Sequence, residues 1–159
     1  MSKVRIAVAA LSMSAAAFVG LVAHEGYRDK AYIPVPGDVP TLGHGSTTHA
    51  DGRPVKLGDT TTPTKALART MMDVDKFEGG LRQCVRVPLY QHEYDSLVQF
   101  AYNIGPDALC KSTLMRKLNA GDYAGACNEM TKWVYAGGRK VQGLVNRREA
   151  ERKLCLGGT

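Results

Sequence analysis

Glu25, Asp38 and Thr41 fall within 17 residues of one another. Together they carry what hydrolysis of a glycosidic bond requires. One group must be a protonated acid beside the leaving oxygen, and another must direct water or stabilise an oxocarbenium ion. Glu25 suits the first role because it follows Ile6 to Ala23, an 18-residue run without a charge. Apolar surroundings raise a carboxyl toward the working range of a general acid. Asp38 lies in the turn Gly37-Asp38-Val39-Pro40-Thr41, where it is suited to orient or deprotonate a water with Thr41 as a hydrogen-bonding helper. Such a trio is common, and its spacing alone does not single out a reaction. His44, in a turn between two glycines, and Asn103, near the end of a predicted helix, are candidate substrate contacts. The Gly43-x-Gly45 word is too short for a nucleotide loop.

The elements that position these residues belong to a chain of 159 residues, enough for one domain with a real core. A formal charge of +6 favours polyanions, with nucleic acid, anionic lipid and the acidic bacterial wall as the classes to weigh. No basic stripe with interleaved aromatics occurs, so nucleic acid is not an expected partner. Arg147, Arg148, Arg152 and Lys153 are interrupted by Glu149 and Glu151, which predicts a solvated helix face. Cys84, Cys110, Cys127 and Cys155 form no C-x-x-C pair and the four histidines are scattered, so neither a metal nor another cofactor is expected. In an exported chain the even count predicts two disulfides, with three connectivities open. In a cytosolic chain the same residues are free thiols.

The N-terminus favours export. Lys3 and Arg5 precede the apolar run, the layout of a secretory signal or membrane anchor. As one helix, 18 residues span about 27 Å, just enough for a bilayer core. The two cations favour a cytoplasmic N-terminus, sending the rest of the chain outward. Seven alanines, Ser12, Ser14 and Gly20 make the run weakly hydrophobic. Cleavage after Ala23 would leave Glu25 on a frayed terminus, so the segment is expected to stay attached. The reading is residues 1–23 as an uncleaved signal-anchor and 24–159 as the catalytic domain. A buried core helix of a cytosolic protein is the bland alternative.

Tyr27 to Asp59, rich in Gly, Pro, Thr and Asp, predicts a small irregular β region. Thr62-Pro63 supplies a cap and a first-turn proline for a helix running to about Leu81. Further helices are expected from about Tyr90 to Gly105-Pro106, from Ser112 or Thr113 to Gly121, from Asp122 through Trp133, and from Asn146 to Leu156. The sum is an α+β fold, a small β region followed by a larger helical lobe, with a cleft expected between them. Phe100, Tyr102 and Trp133 are expected in the core.

His24-Glu25-Gly26-Tyr27-Arg28, Ala31-Tyr32 and Pro40-Thr41-Leu42-Gly43-His44-Gly45-Ser46-Thr47 resemble the catalytic stretch of phage-type lysozymes, the endolysins. Matching words follow in order: Phe100 to Gly105, Ser112 to Asn119, Gly121-Asp122-Tyr123, Trp133 to Gly138, and Gly143 to Arg148. The resemblance covers nearly the whole chain after residue 23. It implies a lysozyme-like fold and cleavage of the β-1,4 bond between N-acetylmuramic acid and N-acetylglucosamine in peptidoglycan, causing host lysis. Glu25 matches the family Glu and Thr41 the family Thr. The family Asp normally stands nine residues after the Glu, where this chain has Pro34. Asp38, the carboxylate left in the loop, is expected to take its place in a rebuilt turn. The N-terminal run resembles the signal-arrest-release segments of some endolysins. This implies a monomer held first in the inner membrane, with a periplasmic catalytic domain, and later released to the periplasm. The family picture also fits pairing of Cys84 with Cys110 and of Cys127 with Cys155. Two other functions compete: a lytic transglycosylase, which needs only one catalytic Glu, and a non-enzymatic basic protein of the wall or membrane.

Overall fold

The computed structural model of the chain describes residues 4–158. The architecture is α+β, in two compact units: 4–17 with 77–158, and 18–76.

The larger unit is helical and is built on α3 (Gln91–Ile104). Its residues from Glu93 to Ala101 are all buried, as expected of a helix covered on every side. It starts with a capping box, in which the Tyr90 N–H donates to the Glu93 carboxylate at 2.8 Å. It ends at Gly105, whose φ of 86° suits glycine, and Pro106 opens α4 (Pro106–Cys110). Ser112 caps α5 (Thr113–Asn119) by accepting from Met115 N at 3.1 Å. Asp122 caps α6 (Tyr123–Glu129) by accepting from Gly125 N at 2.9 Å. These starts and stops follow the sequence signals.

Trp133 departs from expectation. The helix after Asp122 stops at Glu129, and a 3-10 turn over Met130–Lys132 precedes Trp133. Its ring meets the buried Phe100 edge-on, with centroids 5.8 Å apart. A two-residue hairpin follows, β3 (Tyr135–Ala136) and β4 (Arg139–Lys140), turning on Gly137-Gly138.

The basic cluster on α7 (Gln142–Cys155) is only partly a solvated face. Arg148 and Glu151 are buried. Arg148 tolerates this because it pairs with Glu151 at 2.7 Å, donates to the Asn103 side-chain oxygen, and lies 4.7 Å over the Phe100 ring. Disulfides join Cys84 to Cys110 and Cys127 to Cys155.

Glu129 is buried between Lys117, at 2.6 Å, and Lys132, at 2.8 Å. Hydrogen bonds from Lys117 and then Lys132 hold its carboxyl below the ordinary glutamate range. A depressed folded-state pKa stabilises the fold above the unfolded value, about 4.3 for glutamate, and that stabilisation disappears as pH falls through the folded-state value. Unfolding midpoints should therefore drop on acidification below about pH 4.3, and Glu129→Gln should flatten that part of the profile. An unchanged acid slope in the variant would refute the assignment.

The N-terminal run is not one continuous helix. Ile6 bridges Leu89 through paired 2.9 Å backbone bonds. A 3-10 turn covers Val8–Ala10, residues 11–14 are non-helical, and only then does α1 (Ala15–Glu25) begin. The interruption has a physical cause, because the Met13 and Ser14 N–H groups donate to the carboxylates of Glu78 and Asp95. Arg5 pairs with Glu93 at 2.7 Å and lies 4.3 Å from the Tyr90 ring and 3.6 Å from that of Tyr123. Lys3, the other cation of the expected pair, lies outside the described residues. No helix among the described residues is long and apolar enough to cross a membrane.

The smaller unit holds the end of α1, then β1 (Arg28–Tyr32) antiparallel to β2 (Thr41–Gly43), and the first part of α2 (Pro63–Cys84). Pro63 stands first in α2, and the Thr62 hydroxyl accepts from Lys65 N at 3.4 Å. Leu21, Leu42, Val55, Ala66, Thr70 and Val74 are buried here.

Candidate active site

Glu25 is the last residue of α1. The helix stops because Gly26 takes φ +69°, its N–H still bonded to Val22 O at 3.1 Å. Glu25 is half-buried. Opposite it, Gly45 has φ +94°, and a Cβ there would sit 3.4 Å from Glu25 Oε2. A Cβ at that distance would touch the carboxylate in ordinary van der Waals contact, so the positive φ is what favours glycine here. Gly45→Ala should therefore strain a left-handed backbone by about 1–2 kcal/mol. Relief of that strain should shift the backbone lying against the carboxylate and cut turnover about tenfold. Thermal melts and initial rates check the two effects separately, and wild-type turnover would show that the contact is incidental.

His44 is buried, with Nδ1 engaging the Gly26 carbonyl and its ring 5.5 Å from that of Tyr27. Tyr27 donates its hydroxyl to Thr61 O at 3.3 Å. Residues 25–27 and 44–45 thus form one tight cluster, in which His44 holds the turn after Glu25. The next residue is pinned as well: Ser46 Oγ donates to Asp73 Oδ2 at 2.6 Å, and Asp73 also receives Arg69. The roles of Gly45, Tyr27 and the Ser46–Asp73 pair escaped the sequence reading. The Gly-x-Gly word was the available signal, since paired glycines in a strand turn mark close approach of another group.

Asp38 lies in the loop between β1 and β2, and Thr41 is the first residue of β2. Tyr32 faces Thr41 in the strand register, which confines the loop to residues 33–40. Asp38 N bonds to Val35 O at 3.0 Å, and Gly37 takes φ +89° in that turn. The exposed Asp38 carboxylate accepts from Val39 N at 2.9 Å. Thr41 is buried and donates its hydroxyl to Val39 O at 3.2 Å. Val39 thus hydrogen-bonds to both side chains.

Asn103 belongs to the helical unit, in the last turn of α3. It is exposed, and its side-chain oxygen receives Arg148. Beside β2 and α2 the smaller unit also has a cavity of about 420 Å³, lined by Leu42, Ser46, His49, Ala66, Arg69 and Met72 among others. Neither Glu25 nor Asp38 lines it. Among the described residues, no three His, Cys, Asp or Glu side chains gather as metal ligands.

Residues 22–151 match the Phage lysozyme family. The SAR-endolysin of Enterobacteria phage PA-2 is 33% identical over 151 residues, covering 94% of this chain and 89% of that protein. The endolysin of Bacillus phage B103 is 42% identical over 135 residues, covering 84% of this chain and 50% of the relative, so the match spans half of that protein. Among solved structures, an endolysin from Escherichia coli O157:H7 phage FAHEc1 superposes with a TM-score of 0.82 at 34% identity, covering 92% of this chain and 94% of that one. With Glu25, Thr41 and the Gly43-x-Gly45 turn inside the matched region, the chain belongs to the phage lysozyme family, as a phage endolysin of the signal-arrest-release type.

Proposed function

We propose that this peptidoglycan-lytic enzyme hydrolyses the β-1,4 bond between N-acetylmuramic acid and N-acetylglucosamine. Glu25 donates its proton to the departing glycosidic oxygen. Asp38 takes a proton from the water whose hydroxyl adds to the anomeric carbon of the muramic acid, and Thr41 helps to hold that water. One observation supports the reading most directly: a half-buried carboxylate at the end of α1 lies against the Gly43-His44-Gly45 turn, 3.4 Å from where a Gly45 Cβ would be.

The signal-arrest-release reading extends this. Residues 1–23 first serve as an uncleaved inner-membrane anchor for the domain of residues 24–159, with the N-terminus cytoplasmic. They then leave the bilayer, and a monomer acts on the wall from the periplasm. The burial of Val8, Leu11, Ala17 and Leu21 supports a docked, released state for the same segment. Relatives named SAR-endolysin support the anchored one.

A second reading rests on Asp38. Its exposure, and the bond that Val39 N makes to it, fit a site where Glu25 works alone, as in a lytic transglycosylase. Mass spectrometry of fragments from purified peptidoglycan separates the two. Reducing-end muramic acid that disappears with Glu25→Gln supports hydrolysis. Anhydro-muramic ends would replace it with the transglycosylase and strip Asp38 of its role.

A further inference from the structure

Helix α1 carries the proposed acid at one end and is clamped from outside at the other. Ser14 precedes its first residue, and the Ser14 hydroxyl accepts from Ala17 N at 3.2 Å, an ordinary cap. The cap is itself held from α3, 81 residues away. Asp95 accepts from Ser14 N at 2.8 Å and from Ser14 Oγ at 2.7 Å. Glu78, on α2, accepts from Met13 N at 2.6 Å. Both carboxylates are buried. Neutral side chains complete the bracket: Gln91 donates to Asp95 at 2.9 Å and to Ser12 O at 2.8 Å, and Gln99 donates to Ala17 O at 3.0 Å.

The bonds from Glu78, Asp95, Gln91 and Gln99 to residues 12–17 each come from a sequence position more than sixty residues away. Negative charge at a helix start also complements the backbone dipole. An isolated helix of 11 residues is marginal in water. The start of α1 therefore needs a partner to stay helical, and the rod from Ser14 to Glu25 is only about 16 Å long.

We infer that Asp95 and Glu78 are positioning residues for Glu25: by gripping the start of α1 they fix the helix that presents the carboxyl at its end. The inference rests on Glu25 being the general acid, and it gives these two buried carboxylates a task beyond folding. They recognise backbone N–H groups that are exposed only once residues 12–14 leave any continuous helix.

The test uses the full chain. Turnover on soluble glycan fragments is measured for Asp95→Ala, Asp95→Asn, Glu78→Gln and Ser14→Ala, alongside Glu25→Gln. Hydrogen exchange of the amides of residues 13–25 is followed in parallel. Asp95→Ala should lower kcat at least about tenfold and leave KM within about twofold, because geometry rather than glycan binding is lost. The α1 amides should exchange faster. Asp95→Asn, which keeps one acceptor oxygen, should recover part of kcat. Ser14→Ala combined with Asp95→Asn should be less damaging than the two effects summed. Should Asp95→Ala fail to fold, the Asn and Ser14 variants carry the test. Faster α1 exchange with wild-type kcat would overturn the inference while Glu25→Gln stays inactive. A kcat loss with unchanged α1 exchange would overturn it too. Turnover retained by Glu25→Gln would instead sink the assignment of the acid, and the inference with it.

Discussion

Glu25→Gln should lower kcat by about 10²–10⁴-fold, the usual contribution of a general acid, and leave the folded structure intact. The amide has nearly the shape of the carboxyl, so the space beside Gly45 stays filled. What disappears is the acidic proton: an amide N–H does not protonate a departing glycosidic oxygen. KM should change little, since the loss falls on the transition state rather than on glycan binding. Single-turnover rates on purified glycan strands, with a thermal melt of the same sample, separate chemistry from unfolding. A variant within tenfold of wild type would remove Glu25 from the centre of the mechanism.

The second large effect concerns stability. Cys84–Cys110 and Cys127–Cys155 close segments 26 and 28 residues apart in sequence. Restricting the unfolded chain over such loops stabilises the fold by about 3.5 kcal/mol per bond. Native domains have only about 5–15 kcal/mol in total, so losing both bonds should leave the helical unit marginal. The two bonds should not fail together. Cys127 and Cys155 are buried, whereas Cys84 and Cys110 are half-buried. A mild reductant should open Cys84–Cys110 first, and Cys127–Cys155 only when the α6–α7 region opens. Denaturant midpoints of oxidised, partly reduced and fully reduced protein, with the thiols mapped by alkylation, would show two steps. Equal midpoints would mean that the bonds add little.

The parts of this fold that were readable from sequence are those whose causes are local. Thr62-Pro63, Gly105-Pro106, Ser112 and Asp122 begin or end helices through bonds spanning three or four residues, and the structure keeps each of them. The words around Glu25 and Thr41 carried the family likeness that the comparisons then showed. The break in the N-terminal run was not legible, because its partners Glu78 and Asp95 lie 65 and 81 residues further on. Nor was the burial of Arg148, since charge alternation on a helix looks the same whether or not an aromatic face such as Phe100 waits to receive it. The extent of the β1–β2 loop was hidden for a related reason: it depends on the pairing of Tyr32 with Thr41. No single residue in between reports that pairing. Cysteine spacing by itself left three pairings equal.

On the proposed anchor reading, helix α1 meets two environments in turn, and its sides answer to different ones. Ala17 and Leu21 are buried in the folded protein, while Ala15, Ala16, Val19 and Ala23 are exposed. Where the same segment also serves as the anchor, every one of these residues counts toward bilayer affinity. The exposed four are therefore a dial for timing: exchanging alanine for leucine, or valine for alanine, lengthens or shortens the stay in the membrane and leaves the enzyme's interior untouched. On that proposal, selection could retune the moment of release at those positions without renegotiating the catalyst.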